Sequence, residues 1–173
     1  LAAGIKTPTG KFEFKSTVVE EFQESHGLSA IPTFRDPLDD DPDGEKYPFT
    51  LDTGARIPNT IHSRLHEVPW LRQMRKYPTA DISLEDAHRL GLKPNDWIRL
   101  YNAVGSIEVA VNPSGKIRPG DVHLYHGYSE ANANDLVGSF HLDPYSGFPG
   151  YKSNRCNIEK IPVPQRYIEK NNH

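Results

Sequence analysis

The residues best suited to chemistry in this 173-residue chain are polar donors gathered in two stretches. In the first, Tyr47 to Arg64, an apolar run with strand character, Phe49-Thr50-Leu51, breaks into Thr53-Gly54-Ala55-Arg56. A glycine directly after a strand lets the backbone turn tightly and come close to a ligand. Thr53 adds a hydroxyl and Arg56 a permanent cation, so the expected loop offers N–H groups and charge to an anion. His62, Ser63 and Arg64 follow as further donors to a phosphate or a heterocycle. The same spacing also fits a strand, a loop and a polar surface helix.

The second stretch lies toward the end of the chain. Asn132-Ala133-Asn134-Asp135-Leu136 reads as a polar loop, and Tyr151-Lys152 opens an alternating strand that runs on through Ile158. An asparagine such as Asn134 donates and accepts in one plane, which suits the amide edge of a purine-like or pterin-like ring. Lys152 can meet an anion. Between the two stretches, His126 stands at the expected end of the strand Val122–His126, beside Gly127, a position from which side chains face ligands.

Other chemistries fit poorly. Asp39, Asp41, Asp43 and Gly44 match the first half of a calcium loop, but the closing position holds Thr50 where a bidentate carboxylate is required. His62 and His66 stand four apart, a metal-compatible spacing if the segment is helical, yet no third ligand is in sequence reach. Ser63, His126 and Asp143 can be set out as a catalytic triad, without the nucleophile-elbow pattern that would support one. We assign no catalytic and no metal-ligating residue. The single cysteine, Cys156, excludes an internal disulfide and reads as a small half-buried side chain. A net charge of −3 advertises no broad cationic face for nucleic acid or anionic lipid, and no apolar run reaches the roughly 20 residues of a membrane helix.

The elements that must position these donors are mostly short strands. Lys11–Ser16 alternates and reads as an edge strand. Ile31–Phe34 is extended, and Asp36–Glu45 is an acidic loop with two prolines. Trp70, Leu71 and Met74 share a helical spacing and are expected to pack onto the core. Ala80-Asp81-Ile82 is a strand, Ser83 caps a helix with Asp86 in the reciprocal position, and Gly91 ends it. Leu84, Ala87 and Leu90 form that helix's expected buried stripe. Trp97–Asn102 and Ser106–Val111 pair as a hairpin across Ala103–Gly105. Leu92-Lys93-Pro94-Asn95-Asp96 recurs as Ile117-Arg118-Pro119-Gly120-Asp121, each copy leading into a strand, which suggests an internal twofold. Leu1 is not a start methionine, and we expect a fragment or a processed product.

Taken together, these motifs resemble, in order, the last domain of the molybdopterin oxidoreductases, the dimethyl-sulfoxide-reductase superfamily. Thr7–Phe14 resembles the family's lead-in segment. Thr53–Arg56, His62–Arg64 and Pro69–Arg72 are similar to its cofactor-side loop and helix, and Ser83–Trp97 to its helix-turn-strand block. His126-Gly127, Asn132–Leu136, Asp143-Pro144 with Ser146-Gly147, and Tyr151-Lys152 ahead of Cys156 follow in family order. The resemblance implies a mainly β fold with short helices, a six-stranded double-psi β-barrel, spanning 47–173 behind a lead-in arm and acidic loop at 1–46. It implies molybdopterin guanine dinucleotide with molybdenum or tungsten as cofactor. Thr53, Gly54, Ala55, Arg56, His62, Ser63, Arg64, His126, Asn134, Tyr151 and Lys152 would then be its contacts. Implied partners are the preceding catalytic and iron–sulfur domains of a parent chain, and electron-transfer subunits, with no nucleic acid and no direct membrane insertion. The branch it looks closest to is the polysulfide or thiosulfate reductases, and the stretch alone is not expected to turn over. The alternative is a free-standing double-psi barrel serving as a protein-interaction module.

Overall fold

The computed structural model describes residues 4–27, 29–34, 44–138, 142–143 and 147–168. The chain divides into two compact units, Leu1–Asp36 and Pro37–His173. Most of the acidic loop expected at Asp36–Glu45, with its calcium-like aspartates, falls outside the described residues, as do Pro144 and Ser146.

In the first unit, the strand expected at Lys11–Ser16 is absent. Phe12 and Phe14 are exposed and meet edge to face, with ring centroids 5.0 Å apart. Ser16 instead caps helix α1 (Thr17–His26): its hydroxyl accepts from the Val19 N–H at 3.2 Å, and Gly27 closes the helix in the left-handed region. A two-residue alternation of apolar side chains fixes a strand only when a neighbouring strand accepts its hydrogen bonds, and among the described residues none does.

The second unit is a closed barrel of six strands: β1 (Phe49–Ala55), β2 (Thr79–Ser83), β3 (Trp97–Tyr101), β4 (Ser106–Ser114), β5 (Asp121–Tyr125) and β6 (Asn154–Ile161). Around the ring the order is β1-β5-β2-β4-β3-β6. The pairs β1–β5 and β2–β4 are parallel, and the other four are antiparallel. Period-two alternation decides which residues face inward. Leu51, Ile82, Ile98, Leu100, Val109, Val111, Val122, Leu124 and Cys156 fill the interior. Each fully buried aliphatic side chain there contributes about 1.5–3 kcal/mol. Cys156 is fully buried, not half-buried.

The expected twofold exists in the topology. Exchanging β1 with β4, β2 with β5 and β3 with β6, which reverses the order around the ring, maps β1–β5 onto β4–β2 and β1–β6 onto β4–β3, with the parallel or antiparallel sense of each pair preserved. The recurrent turn is not its mark. The turns at Lys93–Asp96 and Arg118–Asp121 are alike, with Asn95 and Gly120 at positive φ and the aspartate N–H bonded back to Lys93 and Arg118 carbonyls. They lead into β3 and β5, which the twofold pairs with β6 and β2. Their likeness is that of one turn type, set by Pro and a left-handed residue.

Helix α2 (Pro69–Arg72) continues into a 3₁₀ turn, Gln73–Arg75, and only Leu71 of the expected trio is buried; Trp70 and Met74 are exposed. Four residues make barely one turn, too short to point all three side chains inward. Helix α3 (Leu84–Arg89) carries the expected cap: the Ser83 hydroxyl accepts from the Asp86 N–H at 2.9 Å. Asp86 Oδ2 then accepts from the Ser83 hydroxyl at 2.6 Å and from the Gly120 N–H at 2.8 Å, tying the helix to the turn before β5. Leu92 and Gly91 N–H groups return to Ala87 and His88 carbonyls, a Schellman ending. Leu84, at the first helical position, is exposed, so the buried stripe reduces to Ala87 and half-buried Leu90. A short final helix, α4 (Gln165–Ile168), stacks Tyr167 on Trp97 at 4.4 Å.

Candidate functional site

One end of the barrel holds a cavity of about 930 Å3. Its walls come from five separated stretches: the end of β1, the loop after it, the exit of β5, the 3₁₀ turn Ala133–Leu136, and the turn before β6. Thr53, Gly54, Arg56, His62, Ser63, His126, Asn134, Tyr151 and Lys152 all line it. Ala55 and Arg64, the other two expected contacts, do not. Ala55 is buried, and its carbonyl accepts from the His126 N–H at 3.1 Å, which joins the ends of β1 and β5.

The expected loop at Thr53 is a bulged continuation of β1. Asp52 pairs with His123 and Ala55 with Tyr125, so β1 carries one extra residue against β5. The donors of this bulge are already engaged. Thr53 is 4% exposed, and both its N–H and its hydroxyl donate to the Tyr151 carbonyl, at 2.9 and 3.0 Å. The Gly54 N–H donates to Asp52 Oδ1 at 2.7 Å. Thr53 therefore fastens the 150–153 turn to β1, and Arg56, just beyond, is the group left to face the cavity.

Residues 56–68 are not helical. Asn59, His62 and Leu65 have φ of 65, 48 and 72°, so the backbone reverses repeatedly. This separates His62 from His66 and removes the shared helical face expected for them. His62 reaches the cavity, where its Nδ1 lies 3.3 Å from His126 Nε2. His66 is buried against the Tyr128 ring at 5.1 Å. Gly127 sits between them with φ of 103°; a Cβ there would come 2.3 Å from the His62 carbonyl oxygen and 2.5 Å from His66 Nε2. Only glycine fits.

Across the cavity, Asn132 caps the 3₁₀ turn by accepting from the Asn134 N–H at 3.1 Å, which leaves Asn134 to present its amide. The turn before β6 is anchored by Asn154, 1% exposed, whose side chain donates to the Gly150 carbonyl at 2.8 Å. Asn132, Ala133, Gly127, Asp143 and Phe148–Ser153 complete the wall, a set broader than the sequence indicated. Gly127 and Asn132 stood inside motifs already singled out; Phe148 and Pro149 carried no signal beyond turn composition.

The electrostatics favour anions. Arg56 and Lys152 line the cavity with no ion pair among the described residues, and Asp143 is its only lining carboxylate among them. Burial pushes the His126 imidazole below its ordinary value; His62 and Arg56 push the same way, against the opposing Ala55 and Thr53 carbonyls. The His126 Nδ1 is buried with no hydrogen-bond partner of standard geometry among the described residues. Among the described residues no group of three or more His, Cys, Asp or Glu could hold a metal ion. The arrangement suits a polyanion carrying a flat polar ring: cations for its charge, an amide and two imidazoles for its edge, glycines where it must come close.

Residues 49–155 match the family model described as the Molydopterin dinucleotide binding domain. The chain is 28% identical over 169 residues to a dopamine dehydroxylase of Eggerthella lenta, covering 89% of this chain and 17% of that protein. It is 29% identical over 128 residues to the acetylene hydratase of Syntrophotalea acetylenica, covering 72% of this chain and 17% of that protein. To the perchlorate reductase subunit alpha of Dechloromonas aromatica it is 34% identical over 97 residues, 56% of this chain and 10% of that protein. Among solved structures, acetylene hydratase from Pelobacter acetylenicus superposes with a TM-score of 0.78 at 24% identity, over 92% of this chain and 24% of that one. The chain thus spans about a sixth of the length of the first two relatives.

Proposed function

Because the chain belongs to the molybdopterin dinucleotide-binding domain family, a domain of molybdenum or tungsten enzymes that bind molybdopterin guanine dinucleotide, we propose that the 930 Å3 cavity is where it holds that cofactor. One observation carries the assignment: Arg56, His62, His126, Asn134 and Lys152, far apart in sequence, converge on one donor-lined wall, with neither Arg56 nor Lys152 in an ion pair among the described residues. Arg56 and Lys152 neutralise phosphate or pyrophosphate charge. The Asn134 amide and the His62–His126 pair meet the polar edge of the ring system. Ser63 and Tyr151 complete the lining, while Thr53 and Ala55 act indirectly by holding the walls together. Bound there, the cofactor supplies the electron chemistry, and this chain supplies orientation and electrostatics.

The preceding catalytic and iron–sulfur domains of a longer parent are the partners this reading requires. Exposed Ile61, Leu65, Trp70 and Met74 beside the cavity loop support it, as apolar surface of this kind marks a contact region. The named relatives are a dehydroxylase, a hydratase and a reductase, so they do not single out a polysulfide or thiosulfate branch. Cavity walls built of donors favour the cofactor reading over an interaction module. The test is to express the full-length parent and assay metal and guanine nucleotide after acid hydrolysis. Replacing Arg56, Asn134 and Lys152 together by Ala should abolish both while the protein stays folded. Full retention of nucleotide in the triple variant would overturn the assignment.

A further inference from the structure

A second cavity, of about 490 Å3, lies on the outer side of the β1–β5 ladder. Its floor follows from register. Thr50 pairs with Asp121 and Asp52 with His123, while Leu51 and Val122 point into the core, so alternation turns four polar side chains outward on one face. Its walls are the turn carrying Lys116, Ile117 and Arg118 on one side and Lys152 on the other.

Of the two carboxylates of this floor, Asp121 is paired with a cation and Asp52 with a backbone N–H. Asp121 Oδ2 accepts from Arg118 Nε and Nη2 at 3.0 and 2.9 Å. Asp52 accepts the Gly54 N–H on one oxygen, and its other oxygen lies 3.7 Å from His123 Nε2. Lys116 and Lys152 are left with no carboxylate partner among the described residues. The Thr50 oxygen accepts from Arg155 at 3.4 Å, so its own proton remains available to donate. Backbone N–H groups contribute little, since those of Gly120 and Thr50 are bound to Asp86 and to the Gly120 carbonyl.

We propose that this second cavity binds a phosphate-type dianion, held by Lys116, Lys152 and the Thr50 hydroxyl. Lysine ammonium groups and a hydroxyl give it charge-assisted donors from three sides. Lys152 lines both cavities, its stem 3.7 Å from the position a Cβ would take on Gly54. It therefore couples the two sites, since its ammonium can be donated fully to only one anion at a time.

Calorimetric titration of the chain with inorganic phosphate, and separately with guanosine diphosphate, at constant ionic strength tests this. Phosphate should bind saturably, and Lys116→Ala and Thr50→Val should each weaken it by about fivefold or more, the loss of one charge-assisted or one neutral donor. Arg56→Ala should weaken only the nucleotide, and Lys152→Ala both ligands. If Lys116→Ala also weakens the nucleotide, the dianion seated there is the nucleotide's own phosphate; if it does not, the site takes a free oxyanion. Phosphate that fails to saturate, or that is insensitive to Lys116→Ala and Thr50→Val in variants of native circular dichroism, would overturn the proposal. Loss of nucleotide binding in the unaltered chain would count against the first cavity's reading alone.

Discussion

Gly127→Ala is the substitution that most directly probes how the site is built. Gly127 and Gly120 bracket β5, and both have positive φ, 103 and 86°. At Gly120 a Cβ would meet nothing within 4 Å; at Gly127 it would lie 2.3 Å from the His62 carbonyl oxygen and 2.5 Å from His66 Nε2. Left-handed backbone costs a non-glycine residue about 1–2 kcal/mol. Gly120→Ala should be destabilising by that amount alone. Gly127→Ala adds the overpacking of a buried site, about 1–3 kcal/mol, because the obstructing atom is backbone and His66 is enclosed against Tyr128. The expected total is about 2–5 kcal/mol. Urea unfolding followed by far-ultraviolet circular dichroism reads both, with equal m-values required for the comparison. Relief of the overlap must move the 62–66 loop, so imidazole resonances of His62 and His126, 3.3 Å apart in the native site, should shift in Gly127→Ala and not in Gly120→Ala. Equal destabilisation of the two variants would refute the reasoning, since it would mean that the His62 loop does not press on Gly127.

Asp86→Ala keeps the Ser83 cap on its backbone N–H but strands the Gly120 N–H and the Ser83 hydroxyl proton; a loss of about 2–4 kcal/mol in urea unfolding is expected, with Asp86→Asn milder. The pH dependence of stability should carry a His126 component. Its folded value is lowered, so the unfolded chain binds the extra proton, and stability falls as pH drops through about 6.5, the ordinary histidine value. His126→Phe should flatten that part of the profile, whereas an unchanged profile would show that His126 titrates normally. Asp96 is lowered by the Lys160 ammonium and the Lys93 N–H, and its contribution is present above the ordinary carboxylate value and lost only below about 4. Burial pushes the Cys156 thiol up to about 12, so a disulfide reagent should leave it unmodified at pH 8 until the barrel unfolds; fast reaction in the native state would contradict its enclosure.

Much of the barrel was legible from local chemistry. The hairpin of β3 and β4, the Ser83 cap, the Gly91 ending and the strand into His126 each depend on a few neighbouring residues whose preferences agree. Where local signals stood alone they failed. Lys11–Ser16 alternates but has no partner strand among the described residues, and Leu84 follows a helical stripe but sits at an exposed first turn. His66 looked like half of a ligand pair and is packed against Tyr128, because three left-handed residues break the periodicity that pairing assumed. The resemblance named candidate contacts, yet it could not say that the Thr53 donors are turned to Tyr151, 98 positions away.

The sequence by itself determined the strands, the turns between them and the kinds of donor available, because alternation, capping and turn chemistry act over a few residues. Only the tertiary structure decided which donors face the cavity. That choice depends on the parallel pairing of β1 with β5 and on a single extra residue in their register, which carries Arg56 toward the cavity beside His126 and commits Thr53 to the wall. Hydrogen-bond partners that close a barrel are distant in sequence, and a side chain's remaining capacity to bind is known only after those partners have been assigned.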